Sequence, residues 1–568
     1  MTKLLPLAAA IAMAFGTAHA DSSTASTTQN GSGNTATTTQ TGSGHNAEIN
    51  TILGVDSSAD ITQSGVGQGA LITQGPEAVT ESSAKIIQSG GAANTASINQ
   101  NHMYQTTASV DQVGAGNNAN IDQQHVDQTS ATAVQTGSGN DADIRQWGYG
   151  VHNPAGASIN QMGNGNIASS DQDTSTNALS TIVQTGNGNF ADVEQYNGSV
   201  NSEVWVTQIT DGASADASQN ASSESVITIL QNDSSQGSIS VSQSNGSTNM
   251  ATATQTYSTG PLSSIDVTQQ GSSNTVNAYQ EHVYETSMVV SQTGNSNTAT
   301  VNQEHVNFSS ASVDVTGDNN QTTVRQYGWG NHEPASATVE TVGDSNLVDI
   351  NQDTSFEAVA SVIQEGNLNK AYVDQVDESD GSSVSIQQIA GSLNGDVDVY
   401  QSSATNSNSS VVQSGVSGSS IDIDQVNGDD LRSYVTQTDT IGGSVTVYQT
   451  GANQSATVHQ GGEGNVAAVD QFATGNKANV SQFGEFGDAD IDQSGNNNEG
   501  WVNQSAGAYN DADLFQSGDG NYAMISQSGL GVVGSHNQAT INQYGTSDAA
   551  VIYQSGGAGN SATINQSN

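Results

Sequence analysis

The chain has no cysteine, only 5 prolines, and only 7 lysines and arginines among 568 residues. Without cysteine, disulfides cannot hold it together. Seven cations cannot supply the basic footprint that DNA or RNA requires, so nucleic acid is excluded as a partner. Aromatic residues are 5% and hydrophobic residues 33% of the chain. That is too little for the thick cores of the three or four globular domains that this length would allow at ~150 residues each. After the N-terminus, no apolar run approaches the ~20 residues of a membrane-spanning helix. What is abundant is uncharged polarity, with Ser, Thr, Asn, Gln and 62 Gly, together with 55 acidic side chains and a net charge of −48. This composition is compatible with disorder unless the sparse apolar residues are periodic.

The first 20 residues read as a secretory signal peptide. Lys3 gives the positive start, Leu4 to Phe15 the apolar run, and Ala18-His19-Ala20 a small-x-small cleavage site. Removing residues 1–20 removes Lys3, which leaves six cations against 55 acids and a net charge of −49.

From residue 21 onward Gln recurs at a fixed pitch. The stretch Gln112–Gln123 defines the template Gln-x-Gly-x-x-Asn-x-Ala-x-x-x-Gln, with Asn117, Ala119 and Ile121 inside it. It fits without gaps at Gln29–Gln40, Gln135–Gln146, Gln161–Gln172, Gln184–Gln195, Gln292–Gln303, Gln364–Gln375, Gln460–Gln471 and Gln516–Gln527. Looser copies fill the intervals and give 46 marks between Gln29 and Gln566, of which only Thr51, Val315 and Thr341 are not Gln. Their mean spacing is about 11.9 residues, so a paired unit has about 23 and the chain about 23 such units. Two positions before the mark stands Ile, Val or Leu in 39 of 46 cases, and the residue between the two is usually polar. A period of two is a strand. The Gly-x-x-Asn cluster supplies turn chemistry, with both residues expected to tolerate positive φ.

A lone strand of this kind cannot bury its apolar face. Two strands facing each other across a thin core can, provided that the units stack. The expected fold is all-β: a two-sheet, amyloid-like β-solenoid of strand-turn-strand rungs, about 23 residues each, spanning 21–568. Inward Gln side chains would then lie one above another at ~4.8 Å and satisfy each other's amides in ladders, and Asn117, Ala119 and Ile121 are expected in the same structural ladder.

Residues 100–208 and 280–388 match at an offset of 180, and the irregular places match as well. Segments 147–154 and 327–334 both stretch the spacing to 15 residues and carry aromatics and a proline, as loops protruding between rungs would. A one-dimensional stack accepts such a copied block because each rung touches only its neighbours.

The template and its pitch, following a secretion signal, resemble the curlin repeat of the subunits of curli, the functional amyloid fibres on Gram-negative bacteria. The resemblance covers nearly all of 21–568. It implies a β-solenoid, export through a dedicated outer-membrane pore, and assembly outside the cell on itself or other curlin-like subunits with nucleation machinery. It also implies a role in biofilm matrix and adhesion at the cell surface. The chain departs from the family pattern in having many more repeats and in reaching its first mark, Gln29, almost directly after the cleavage site.

Other chemistry is sparse. Asp488, Asp490 and Asp492 with Glu499 imitate a calcium loop, but the motif's sixth position holds Gln493 instead of Gly. Their alternation with Ala489, Ile491 and Gln493 instead places the three Asp on the outer face of a strand. With Asp470 they are candidates for carboxylate ladders that bind divalent cations weakly. No His pair has zinc spacing with a third ligand nearby, so the ten His are expected in loops or at strand edges. Trp147, Tyr149, Tyr327 and Trp329 are candidate loop contacts to polysaccharide, another surface or another fibre. No phosphate loop, nucleophile elbow or cofactor motif is present. The leading expectation is therefore a non-enzymatic structural protein that polymerises by templated stacking, since neither end carries a recognisable cap. The alternative is a long monomeric solenoid adhesin or glycan binder.

Overall fold

The computed structural model describes residues 22–148, 155–328 and 334–567. The signal segment, and most of the loops 147–154 and 327–334, lie outside the described residues. The chain divides into two compact units, Met1–Ser273 and Asn274–Asn568. Among the described residues there is no helix.

In the first unit, successive long strands alternate between two parallel sheets. One runs from Thr24–Ser32 to Ser264–Gln270 and the other from Thr35–Ser43 to Met250–Thr256. The second unit repeats this plan. One of its sheets runs from Thr275–Glu281 to Ser561–Gln566, the other from Ser287–Thr293 to Ala549–Gln554. Among the described residues the first unit has 11 long strands in one sheet and 10 in the other, the second unit 13 and 12, so that every one of the 46 marked segments is a strand. Each unit is thus a β-solenoid with a pitch near 23 residues.

Pairing is parallel and in register with the repeat. Ala119 lies opposite Ala142, Ile121 opposite Ile144, and Gln123 opposite Gln146. All six are buried at 1% exposure or less, while the residues between them face outward. The energetics require stacking. Burying an Ile or Val side chain yields about 1.5–3 kcal/mol, and a rung has about two. Ordering its ~23 residues costs about 1–2 kcal/mol each. A rung alone therefore cannot form, and hydrogen bonds and burial on both neighbours must make up the difference.

The corners explain the glycines. Gly114 sits at φ +122°, and a Cβ there would run into the carbonyl oxygen of Gly137 in the next rung. Only glycine lets the rungs approach at this point. The asparagine of the template behaves differently from the sequence expectation. Asn117 does not have positive φ; that conformation falls on the residue before it, at Gly116 (+67°), Ser296 (+58°) and Leu368 (+59°). Asn117 is instead fully buried. Its Nδ2 donates to Gly137 O at 3.1 Å, and its Oδ1 accepts from the backbone N–H of Asn140 at 3.1 Å. It is a corner ladder that closes backbone groups left unpaired by the turn.

Candidate functional site

The recurring feature of both units is the inward amide column. Gln88 donates to Gln112 at 2.8 Å, Gln112 to Gln135 at 2.8 Å, and Gln135 to Gln161 at 2.9 Å. On the facing sheet Gln123 donates to Gln146 at 2.7 Å and Gln146 to Gln172 at 2.8 Å. Each Nε2 has a second proton, which goes to a backbone carbonyl of the opposite sheet, as from Gln112 to Thr95 O at 2.9 Å and from Gln135 to Asn118 O at 2.7 Å. The side chain therefore bridges rungs and sheets together. The second unit has the same geometry at Gln303, Gln375, Gln460, Gln471, Gln516 and Gln527, each donating to the Gln one rung on at 2.7–2.9 Å. A buried primary amide left without partners would cost about 1–3 kcal/mol per group, so the ladder makes the polar core admissible.

Two of the three non-Gln marks break this column. Gln292 lies opposite Val315, Val315 opposite Thr341, and Thr341 opposite Gln364. Gln364 donates onward to Gln388 at 2.8 Å, but its Oε1 and the Oγ1 of Thr341 are buried without a hydrogen-bond partner. At the third, Thr51, the hydroxyl keeps the contact by donating to Gln74 Oε1 at 3.2 Å.

The outward face carries the charge. Asp470 lies opposite Asp492, Asp488 opposite Asp511, and Asp490 opposite Asp513. The four aspartates singled out from the sequence thus occupy three adjacent columns of one sheet, not a single ladder. Glu499 opens a strand of the other sheet, where it accepts from Trp501 Nε1 at 2.9 Å, so no calcium loop forms. Loss of water among the packed side chains, then the charges of Asp470, Asp513, Asp492 and Asp488, push the Asp490 carboxyl up to about 6. Desolvation and the same crowding by Asp422, Asp374, Asp424 and Asp396 push Asp398 up to about 6. Desolvation also raises Asp470, Asp488 and Asp492.

Of the loop aromatics, Trp147 closes the strand Asp141–Trp147, 40% exposed, with the Arg145 guanidinium 5.9 Å from its ring centroid. Tyr327 closes the strand Gln321–Tyr327 and meets His305 edge-on at 5.7 Å. Tyr149 and Trp329 lie outside the described residues. The structure also joins residues that local spacing kept apart. His102 and His125, one rung from each other, stack at 5.1 Å, and both approach Glu77 Oε2, at 2.8 and 3.6 Å. The rule that no His pair has a third ligand nearby holds only along the sequence. The separations of 23 and 25 residues, each one rung, are the signal that would have revealed the cluster.

The curlin associated repeat matches four stretches, residues 20–50, 263–304, 451–484 and 507–531. The chain carries curlin repeats. Between the matched stretches the curlin pitch continues, as where Val466–Thr474, within a match, pairs in register with Asp488–Gln493 outside one. No curated protein matches the chain.

Proposed function

We propose that this curlin-repeat protein is a secreted structural subunit that forms or extends extracellular, curli-type amyloid fibres, serving biofilm matrix and surface adhesion on a Gram-negative cell. The observation that carries the reading is the conjunction of curlin repeats with in-register parallel strands whose buried Gln amides bond rung to rung. Identical side chains stacked with satisfied amide ladders are the physical basis of templated growth, because an added copy recovers the same hydrogen bonds and the same burial. The family points to an extracellular or surface location, and the signal-like residues 1–20 agree with it. In this reading its partners are further copies or other curlin-like subunits, together with the export and nucleation machinery of curli. No catalytic group is needed for the role.

The test is incubation of the purified mature chain. The expected result is thioflavin-positive fibres with a meridional reflection at ~4.7–4.8 Å, seeded by preformed fibre. A chain that stays monomeric and folded at every concentration overturns the reading. It would instead favour a long solenoid that binds a surface or glycan through side chains such as Trp147 and Tyr327.

A further inference from the structure

We propose that Glu77, His102 and His125 form a surface site for a borderline divalent transition-metal ion, with Zn²⁺ as the reference ligand. The three residues come from successive rungs at one corner of the first unit. The segment at Val79–Thr80 pairs with Met103–Tyr104, and Tyr104 bridges to Asp127, which places His102 opposite His125. The backbone fixes them there: Met103 N–H donates to Ala78 O at 2.9 Å, His125 N–H to Asn101 O at 3.0 Å, and Glu77 N–H to Asn101 Oδ1 at 2.9 Å. Both histidines hold φ +56°, so the same corner presents both rings in the same direction.

The ligand atoms suit a small ion. One atom from each residue lies within 4.8 Å of the other two. His102 Nδ1 is 2.8 Å and His125 Nε2 3.6 Å from Glu77 Oε2. Bonds of ~2.1 Å in tetrahedral array separate ligand atoms by ~3.4 Å, which these spacings bracket. The rings are stacked 21° from parallel, so capture turns one ring out of the stack. Their side chains are 59% and 41% exposed, so this rotation disturbs no core. A recess lined by Ala78, Thr80, Met103, Tyr104 and Asp127 adjoins the pair and leaves space for solvent as the remaining ligand.

Two imidazoles and one carboxylate select Zn²⁺, Cu²⁺ or Ni²⁺ over Ca²⁺ and Mg²⁺, which take oxygen ligands. The net charge of −48 raises the local concentration of any divalent cation around the chain. The copied block supplies an internal control. His282 and His305 stack in the same way, at 4.8 Å and 10°, with φ of +52° and +56°. Among the described residues, however, only the Glu77 cluster brings three such ligand atoms together. The site is independent of whether the protein forms fibres.

The experiment is equilibrium dialysis of the full mature chain against Zn²⁺ in excess Ca²⁺, which occupies the carboxylates. Variants are Glu77→Gln, His102→Asn and His282→Asn; asparagine accepts the positive φ of the histidine positions. Expected is at least about a tenfold loss of the tightest Zn²⁺ affinity in Glu77→Gln and His102→Asn, the minimum seen even for outer partners of a metal site. His282→Asn should be unchanged. Imidazole nitrogen resonances of His102 and His125 in the wild-type chain should shift together on Zn²⁺ addition, a readout that needs no variant. Equal affinity in wild type and His102→Asn, an equal loss in His282→Asn, or unmoved His102 and His125 resonances would each overturn the site.

Discussion

In residues 100–208 the inward column reads Gln112, Gln135, Gln161, Gln184, and each amide donates to the next at 2.8–2.9 Å. In the copy, residues 280–388, the same positions read Gln292, Val315, Thr341, Gln364. The strands still pair residue for residue across the gap, and Val315 and Thr341 are as buried as the glutamines that they replace. The facing column is complete in both copies, through Gln123, Gln146 and Gln172 in one and Gln303, Gln326 and Gln352 in the other. The difference separates two roles. Backbone pairing, the Ile/Val column and the glycine corners hold the register; the amide ladder adds stability on top and can be interrupted on one sheet at a time. The copies also differ at the histidine corner. Glu77 lies before the copied segment begins, so the duplication carried the two histidines and left the carboxylate behind.

The largest expected effect comes from giving the first copy the second copy's defect. Gln135→Val would strand the Oε1 of Gln161 and one proton of Gln112 Nε2, two buried groups at about 1–3 kcal/mol each. Because a repeat array need not unfold in one step, the readout is local. Amide hydrogen exchange over residues 107–138 should accelerate, while 287–316 stays as it was. Unchanged protection around residue 135 would mean that the ladder contributes no stability. A smaller effect is expected from the opposite change. Val315→Gln with Thr341→Gln would rebuild the column from Gln292 to Gln364 and give Gln364 Oε1 a donor, a gain of about 1–2 kcal/mol. It should slow exchange at 310–316 and 336–342 to the level of 130–138 and 156–164. Either glutamine inserted alone should gain less than the pair.

The smallest effect is set by pH and falls on a stretch where the outer charges are densest. Asp398 and Asp490 are each raised from 3.8 to about 6 in the folded chain. A raised carboxylate pKa means that protonation favours folding. Their ionisation destabilises fully above pH ~6, and the cost disappears as pH falls towards ~4. Local stability over residues 396–424 and 488–513 should therefore rise on going from pH 7 to pH 4.5, more than in 107–146, where Asp141 and Asp143 lie opposite Asn118 and Asn120 and Asp122 lies opposite Arg145. Asp490→Asn should flatten the profile over 488–513 and leave 396–424 responding. A stability that falls uniformly with acid would contradict the assignment of strain to these carboxylates.

Much of this was legible in the residues because the repeat is short and nearly strict. Period two at Ala119, Ile121 and Gln123 gave the buried face, and the recurring Gln gave the ladder, since an amide is a sensible core residue only when a neighbour answers it. Asn117 stands in the ladder as expected, but without the positive φ expected of it. Turn statistics link Gly and Asn to positive φ, but here the corner needed a side chain that reaches a carbonyl and a backbone amide of the adjacent rung. The aspartates at 470, 488, 490 and 492 were placed on the right face, while their grouping into three columns depends on which strand of the next rung each one meets. The Glu77–His102–His125 cluster was missed because metal motifs are read along the chain, whereas here proximity follows the pitch.

The sequence by itself determined the strand, its inward and outward faces, the pitch, and the requirement that rungs stack, because each follows from local periodicity and from the cost of burying an amide alone. Tertiary structure decided which residues of neighbouring rungs meet. That choice turned scattered acids into crowded carboxylates with raised pKa, left Gln364 Oε1 unpaired beside Thr341, and joined two histidines to a glutamate 25 residues or more away. The reason is geometric: contacts in a solenoid run perpendicular to the chain, and one rung longer or shorter by a few residues changes who stands opposite whom.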